Sequence, residues 1–166
     1  MKKLHIVIAI VVIVALAVAG AYLFASSSNN VKLNSSTFKL PNHFTVKGNA
    51  SSNNLSVVHI SSGDITLSVA EVKDNNNLDQ VINRFKKDVE SKGTVDVKDF
   101  DVGDSKIDAK KVVYKRTNNE TNNTTEIVAI RYYASKDNKV YFVESKDKDH
   151  DKLAKQIILS LKKKII

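Results

Sequence analysis

This 166-residue sequence predicts an α+β fold, an antiparallel β-sheet flanked by helices and preceded by one transmembrane helix. Three observations point there. Leu4 to Ala25 is an uncharged run rich in Ile, Val and Ala, directly behind Lys2 and Lys3. Beyond it, short runs of alternating apolar and polar residues are separated by Asn, Asp, Gly and Ser, the pattern of consecutive strands. Two stretches, 78–92 and 151–164, instead space their apolar residues three and four apart, the period of a helix.

At ~1.5 Å per residue a helix over Leu4–Ala25 is about 33 Å long, enough for hydrocarbon about 30 Å thick. Lys2 and Lys3 favour a cytoplasmic N-terminus, so the expectation is a signal anchor at 1–25, a flexible linker at 26–36 and an extracytoplasmic cell-envelope domain at 37–166. Ala17-Val18-Ala19 before Gly20 offers a competing signal-peptidase site, but the apolar run continues through Ala21, Tyr22, Leu23 and Phe24, which favours retention. The absence of cysteine excludes disulfides, thiolate metal sites, a Cys nucleophile and a lipidated-Cys anchor. Stability must come from an apolar core, for which 141 residues beyond the anchor suffice in one domain.

Taken in order, Thr37 to Leu40 and Phe44 to Lys47 read as short strands around Pro41-Asn42, the only proline being a natural turn or edge marker. Leu55 to Ser61 and Ile65 to Val72 form a hairpin through Ser62-Gly63-Asp64. Leu78, Val81, Ile82, Phe85 and Val89 share one helical face, with Asn77 placed to cap the start and Gly93 to close the end. Val95 and Val97, then Phe100 and Val102, describe a strand that changes face near Asp99, by a bulge. Ile107 to Thr117, Glu126 to Ser135 and Lys139 to Ser145 make a meander, its last turn at Asp137-Asn138. In Ile127–Ile130 and Val140–Val143 both alternating sets are apolar, so these strands lie centrally and are covered on both faces. The final helix, from Asp151 to Lys164, turns Leu153, Ala154, Ile157, Ile158 and Leu161 to one side and ends in three lysines suited to a helix C-terminus. One helix on each face gives a three-layer arrangement whose core includes Phe85, Val128, Ile130, Phe142, Ile157 and Leu161.

Three stretches carry a family resemblance: Phe38-Lys39-Leu40-Pro41-Asn42-His43-Phe44-Thr45-Val46, the glycine turn and long strand from Val102 to Tyr114, and Val140-Tyr141-Phe142-Val143 followed by the helix around Ile157-Ile158-Leu159-Ser160. In this order they resemble the PsbP-like family. The resemblance implies an α/β/α sandwich used for binding and assembly, with no shared reaction and no catalytic motif or cofactor to carry over. The Asn-rich loops and the anchor depart from that pattern, so photosystem function does not follow from it.

Few residues suggest chemistry. Asp147, Asp149 and Asp151 have the spacing of a calcium loop, but Lys152 stands where its glycine belongs and Ile158 where its bidentate Glu belongs, so they read first as acidic residues capping a helix start, with metal binding the minor alternative. A hydrolase would need His43, His59 or His150 beside a nucleophile, and no Gly-x-Ser-x-Gly elbow or phosphate-cradling glycine loop exists. Tyr132-Tyr133 reads as one core and one surface aromatic, and topology disfavours nucleic acid as a partner. Six Asn-x-Ser/Thr triplets, at Asn34, Asn49, Asn54, Asn119, Asn122 and Asn123, are candidate glycosylation sites on an exported surface.

Charge is the remaining signal. Beyond residue 25 there are 24 basic and 18 acidic residues, and Lys106–Arg116 and Lys146–Ile166 each carry a surplus of four. Lys110, Lys111, Lys162, Lys163 and Lys164 are therefore the candidate anion-binding residues if the two segments are adjacent; helix-dipole compensation and solubility are the other reading. The sequence favours a membrane-anchored, non-catalytic binding or assembly module without cofactor or metal, against an exported hydrolase or a secreted domain that binds anionic wall polymers.

Overall fold

The computed structural model describes residues 29–74, 76–118, 124–146 and 148–163. Among the described residues, ten strands and two helices follow one another as β1 (Asn30–Lys32), β2 (Ser36–Lys39), β3 (Thr45–Ser51), β4 (Leu55–Ser62), β5 (Ile65–Val72), α1 (Leu78–Val89), β6 (Thr94–Asp99), β7 (Asp108–Asn118), β8 (Thr124–Lys136), β9 (Lys139–Ser145), α2 (Asp151–Ser160) and β10 (Lys162–Lys163). Seven strands form one sheet in the order β3-β4-β5-β9-β8-β7-β6, every pair antiparallel, and β1-β2-β10 form a second, smaller sheet.

Alternation along the strands divides the interior into two cores. Val57, Ala70, Val72, Tyr133, Val140 and Phe142 face α1 and pack with Leu78, Ile82, Phe85 and Val89. Their chain neighbours Val58, Val69, Tyr132, Tyr141 and Val143 face the other way, toward Ile157, Ile158 and Leu161 of the α2 segment and Phe38 of β2. Asn77 caps α1 through a reciprocal pair: its side chain accepts from the Gln80 N–H at 2.9 Å and its N–H donates to Gln80 Oε1 at 3.0 Å. The 138 turn is tight, with Asp137 and Asn138 at φ 51° and 59°, as a two-residue hairpin of this twist requires.

The expected α/β/α sandwich behind a transmembrane helix is corrected on both counts. The described chain is mostly β, 53% strand against 17% helix. A 12-residue helix reaches ~18 Å, whereas seven strands at ~4.8 Å each span about 30 Å, so α1 crosses one face without forming a helical layer. The opposite face is closed jointly by the 10-residue α2 and the small sheet. No helix among the described residues is long and apolar enough to cross a membrane. The signal anchor expected at 4–25 lies outside the described residues, and the single-pass placement, N-terminus cytoplasmic and domain outside, is not supported.

Local differences have local causes. β1 and the buried Leu33 fall inside 26–36, the span expected to be a linker, because β2 offers β1 a partner strand. The face change near Asp99 is real, but it comes from β6 ending there and Phe100 and Val102 folding over the sheet edge into the α2-side core, held by the Phe100 N–H to Ala109 carbonyl bond at 3.0 Å. The register shift lies instead at Tyr114/Lys115, which leaves Val128 only partly buried. α1 stops at Val89 with Glu90 as its C-cap, so Gly93 does not close the helix. It is required because a Cβ there would lie 2.1 Å from the Lys115 carbonyl oxygen.

Candidate functional site

On the α1 face, one transverse row of the large sheet is polar. Register places His59 of β4 opposite Ser68 of β5, Ser68 opposite Glu144 of β9, and Glu144 opposite Arg131 of β8. Such directly opposed side chains are the closest neighbours a sheet offers. His59 Nδ1 lies 2.9 Å from Ser68 Oγ. Arg131 Nε donates to Glu144 Oε2 at 2.5 Å and Nη1 donates to the Tyr133 hydroxyl at 3.0 Å. The guanidinium sits 4.2 Å from the Phe85 ring centroid and 4.6 Å from that of Phe142, so an aromatic wall closes over the pair. Burial works against the charged guanidinium, but Tyr133 and Glu144 outweigh it and Arg131 lies above the ordinary arginine range. Burial likewise raises Tyr133, partly offset by Arg131.

The Ser68–His59 contact is the beginning of a serine-nucleophile constellation, and Ser68 is partly exposed. The setting does not continue it. Ser68 stands in mid-strand with a paired neighbour on both sides, so its surrounding N–H groups belong to the ladders and are not converged on a developing oxyanion. Glu144 Oε2, the adjacent carboxylate oxygen, accepts from Arg131.

Two further polar groups lie on the opposite face. Lys111 Nζ is 2.6 Å from Asp149 and 2.9 Å from Asp151, and 5.6 Å from the Tyr132 ring centroid. The Tyr132 hydroxyl accepts from the His150 N–H at 2.8 Å, which ties the start of α2 to β7 and β8. Burial opposes ionisation of Asp151, and the hydrogen bonds from Lys111 and Tyr132 outweigh it, so its carboxyl lies below the ordinary 3.8. In the second group, fully buried Glu71 accepts from the Ser35 N–H at 3.0 and 3.2 Å and from its hydroxyl, while Ser36 Oγ lies 2.6 Å from the Tyr141 hydroxyl. These bonds fasten the β1–β2 turn to the large sheet.

The candidate lysines are not brought onto one face. Lys110 and Lys111 are consecutive strand residues and point to opposite sides of the sheet. Lys110 pairs with Asp99 at 2.5 Å, which raises its pKa through the hydrogen bond and charge of that carboxylate. Lys162 and Lys163 are exposed in β10, not in a last helical turn; Lys136 supplies the cation there, donating to the Leu159 carbonyl at 3.0 Å. Lys164 lies outside the described residues. Lys32 and Lys39 were hidden from sequence reasoning: both are exposed on the sheet that holds Lys162 and Lys163, and β1 was masked by its linker-like composition.

Asn34, Asn49 and Asn54 are exposed, and Asn119, Asn122 and Asn123 lie outside the described residues. Asp147 does too, and among the described residues no group of three or more His, Cys, Asp or Glu could hold a metal; Lys111 occupies the space between Asp149 and Asp151. His150 is the N-cap of α2 without a side-chain cap bond, and exposed His43 sits in a turn at φ 67°. Comparison with known proteins finds no family model and no curated relative that matches the chain, so the resemblance to the PsbP-like family assigns no residue a role.

Proposed function

We propose that this chain is a non-catalytic binding module. The observation that carries the reading is the closure of its interior charged groups: Arg131 on Glu144 and Tyr133, Lys111 on Asp149 and Asp151, and Glu71 on Ser35 each have partners inside the fold. Charges held this way fix strands and turns together and are not poised to exchange protons with a substrate. A hydrolase is the second reading, favoured by the Ser68–His59 contact alone. A panel of ester, phosphoester and glycoside substrates offered to the full chain and to Ser68→Ala and His59→Gln variants separates the two. No turnover above buffer is expected from any of them. Turnover by the native chain that both variants lose would establish the hydrolase.

A further inference from the structure

We propose that the outer face of the small sheet is the binding surface of this module, and that its ligand is an extended phosphate-bearing polymer contacted through charge alone. The inference rests on the binding reading and specifies its site.

Register builds the face. Lys32 of β1 and Lys162 of β10 both lie opposite Thr37 of the central strand β2, so the two lysines flank one threonine across about 10 Å. Lys39, two residues along β2, projects to the same side about 7 Å away, whereas exposed Lys163, opposite Ser36, alternates to the other side at the edge of the patch. Phe38, Val31 and Ser36 alternate with these residues, and Phe38 and Ser36 are buried. The four lysines are exposed, and among the described residues none of them forms an ion pair with a carboxylate.

The sequence explains this concentration of charge. The first acidic residue of the chain is Asp64 and the last is Asp151, so β1 and β2 come from one acid-free stretch and β10 from another. The fold brings these two ends, more than a hundred residues apart, into one sheet. Glu71, which faces the β1–β2 turn from beneath, is fully buried and bonded to Ser35, so it does not neutralise the outer surface directly. Three positive charges at strand spacing, with Lys163 at their edge, attract a chain of closely spaced anions.

The same face narrows the partner. Asn30, Lys32, Thr37, Lys39 and Lys162 form the outward set, with no aromatic ring on which bases could stack and no apolar side chain to enter a bilayer. Lysine alone, without the planar fork of arginine, suits phosphate oxygens as a point charge and gives no bidentate grip on carboxylates.

Linear inorganic polyphosphate is the probe. Its affinity for the full chain should fall about twenty-fold between 50 and 200 mM salt, the loss for roughly three displaced counterions on a flexible polyanion. Replacing Lys32, Lys39, Lys162 and Lys163 together by Gln should lower affinity at least tenfold, and replacing them by Arg should retain most of it. Replacing exposed Lys86, Lys87, Lys92 and Lys98 by Gln, an equal charge change on α1, the following turn and β6, should cost less than threefold. No binding, equal losses in the two Gln variants, or tighter binding to polyglutamate, single-stranded DNA or phosphatidylglycerol vesicles at equal anion concentration would each overturn the proposal. Polymer length followed on a gel keeps the two claims apart: shortening of polyphosphate would contradict the non-catalytic reading, whereas failure to bind would remove only the small sheet as its site.

Discussion

Replacing Arg131 by Met while leaving Glu144 in place should be among the most damaging single changes to the fold. The two side chains are only 12% and 10% exposed, so the variant leaves a carboxylate nearly out of water without its cation. Breaking a buried pair from one side costs ~3 to 5 kcal/mol, and the Tyr133 hydroxyl loses a donor worth about 1 kcal/mol more. Methionine recovers part of the packing between Phe85 and Phe142. The net expectation is about 4 kcal/mol, a large share of the stability of a domain this size. Glu144→Leu should cost a similar amount by stranding the guanidinium. The double variant removes both charges, fills the space with apolar atoms and should lie within about 2 kcal/mol of the native chain. Far-UV circular dichroism during reversible urea unfolding reads all four corners of the cycle, since the chain has no tryptophan. Additive losses, or single variants each below about 1 kcal/mol, would refute the assignment of this pair as a buried, coupled unit.

Three other outcomes follow from single contacts. Gly93→Ala should destabilise by roughly 1 to 3 kcal/mol, because the new Cβ meets a backbone oxygen at 2.1 Å and the Tyr114 ring at 2.7 Å, and a neutral urea midpoint would contradict that approach. Tyr141→Phe should cost about 1 kcal/mol and speed amide exchange in β1 and β2, since it removes the hydroxyl bonded to Ser36; unchanged exchange there would show that the turn is held by other means. Asp151 is depressed below the ordinary 3.8 in the folded chain, so its contribution is present above that value and is lost as pH falls through the lower folded one. Asp151→Asn should therefore flatten the stability profile below about pH 4, and an unchanged acid limb would remove the Lys111 cage as its cause.

How much of this was legible in the sequence depends on whether the signal was local. The Asn77–Gln80 cap, the 138 turn and the alternation in β4, β5 and β9 are encoded within a few residues and are found where the pattern puts them. Those are short-range facts. β1 and β10 were not legible, because three- and two-residue strands exist only through pairing with β2 and carry no period of their own. The same limit hid the basic face: Lys32 and Lys39 acquire meaning only when β10 brings Lys162 and Lys163 beside them. Conversely, the Lys106–Arg116 surplus is cancelled in part by Asp99 and by Asp149 and Asp151, which linear counting assigns elsewhere. Arg131 and Glu144 look like surface charges of two strands until register sets them opposite each other under Phe85.

The claim that this chain binds through its small sheet and does no chemistry at Ser68 is tested most directly by mapping backbone amide shifts of the isotope-labelled full chain as polyphosphate is added. Saturable, salt-sensitive shifts centred on Lys32, Thr37, Lys39 and Lys162 are expected, with His59 and Ser68 unmoved. Shifts centred on His59, Ser68 and Glu144, with the small sheet silent, would contradict it.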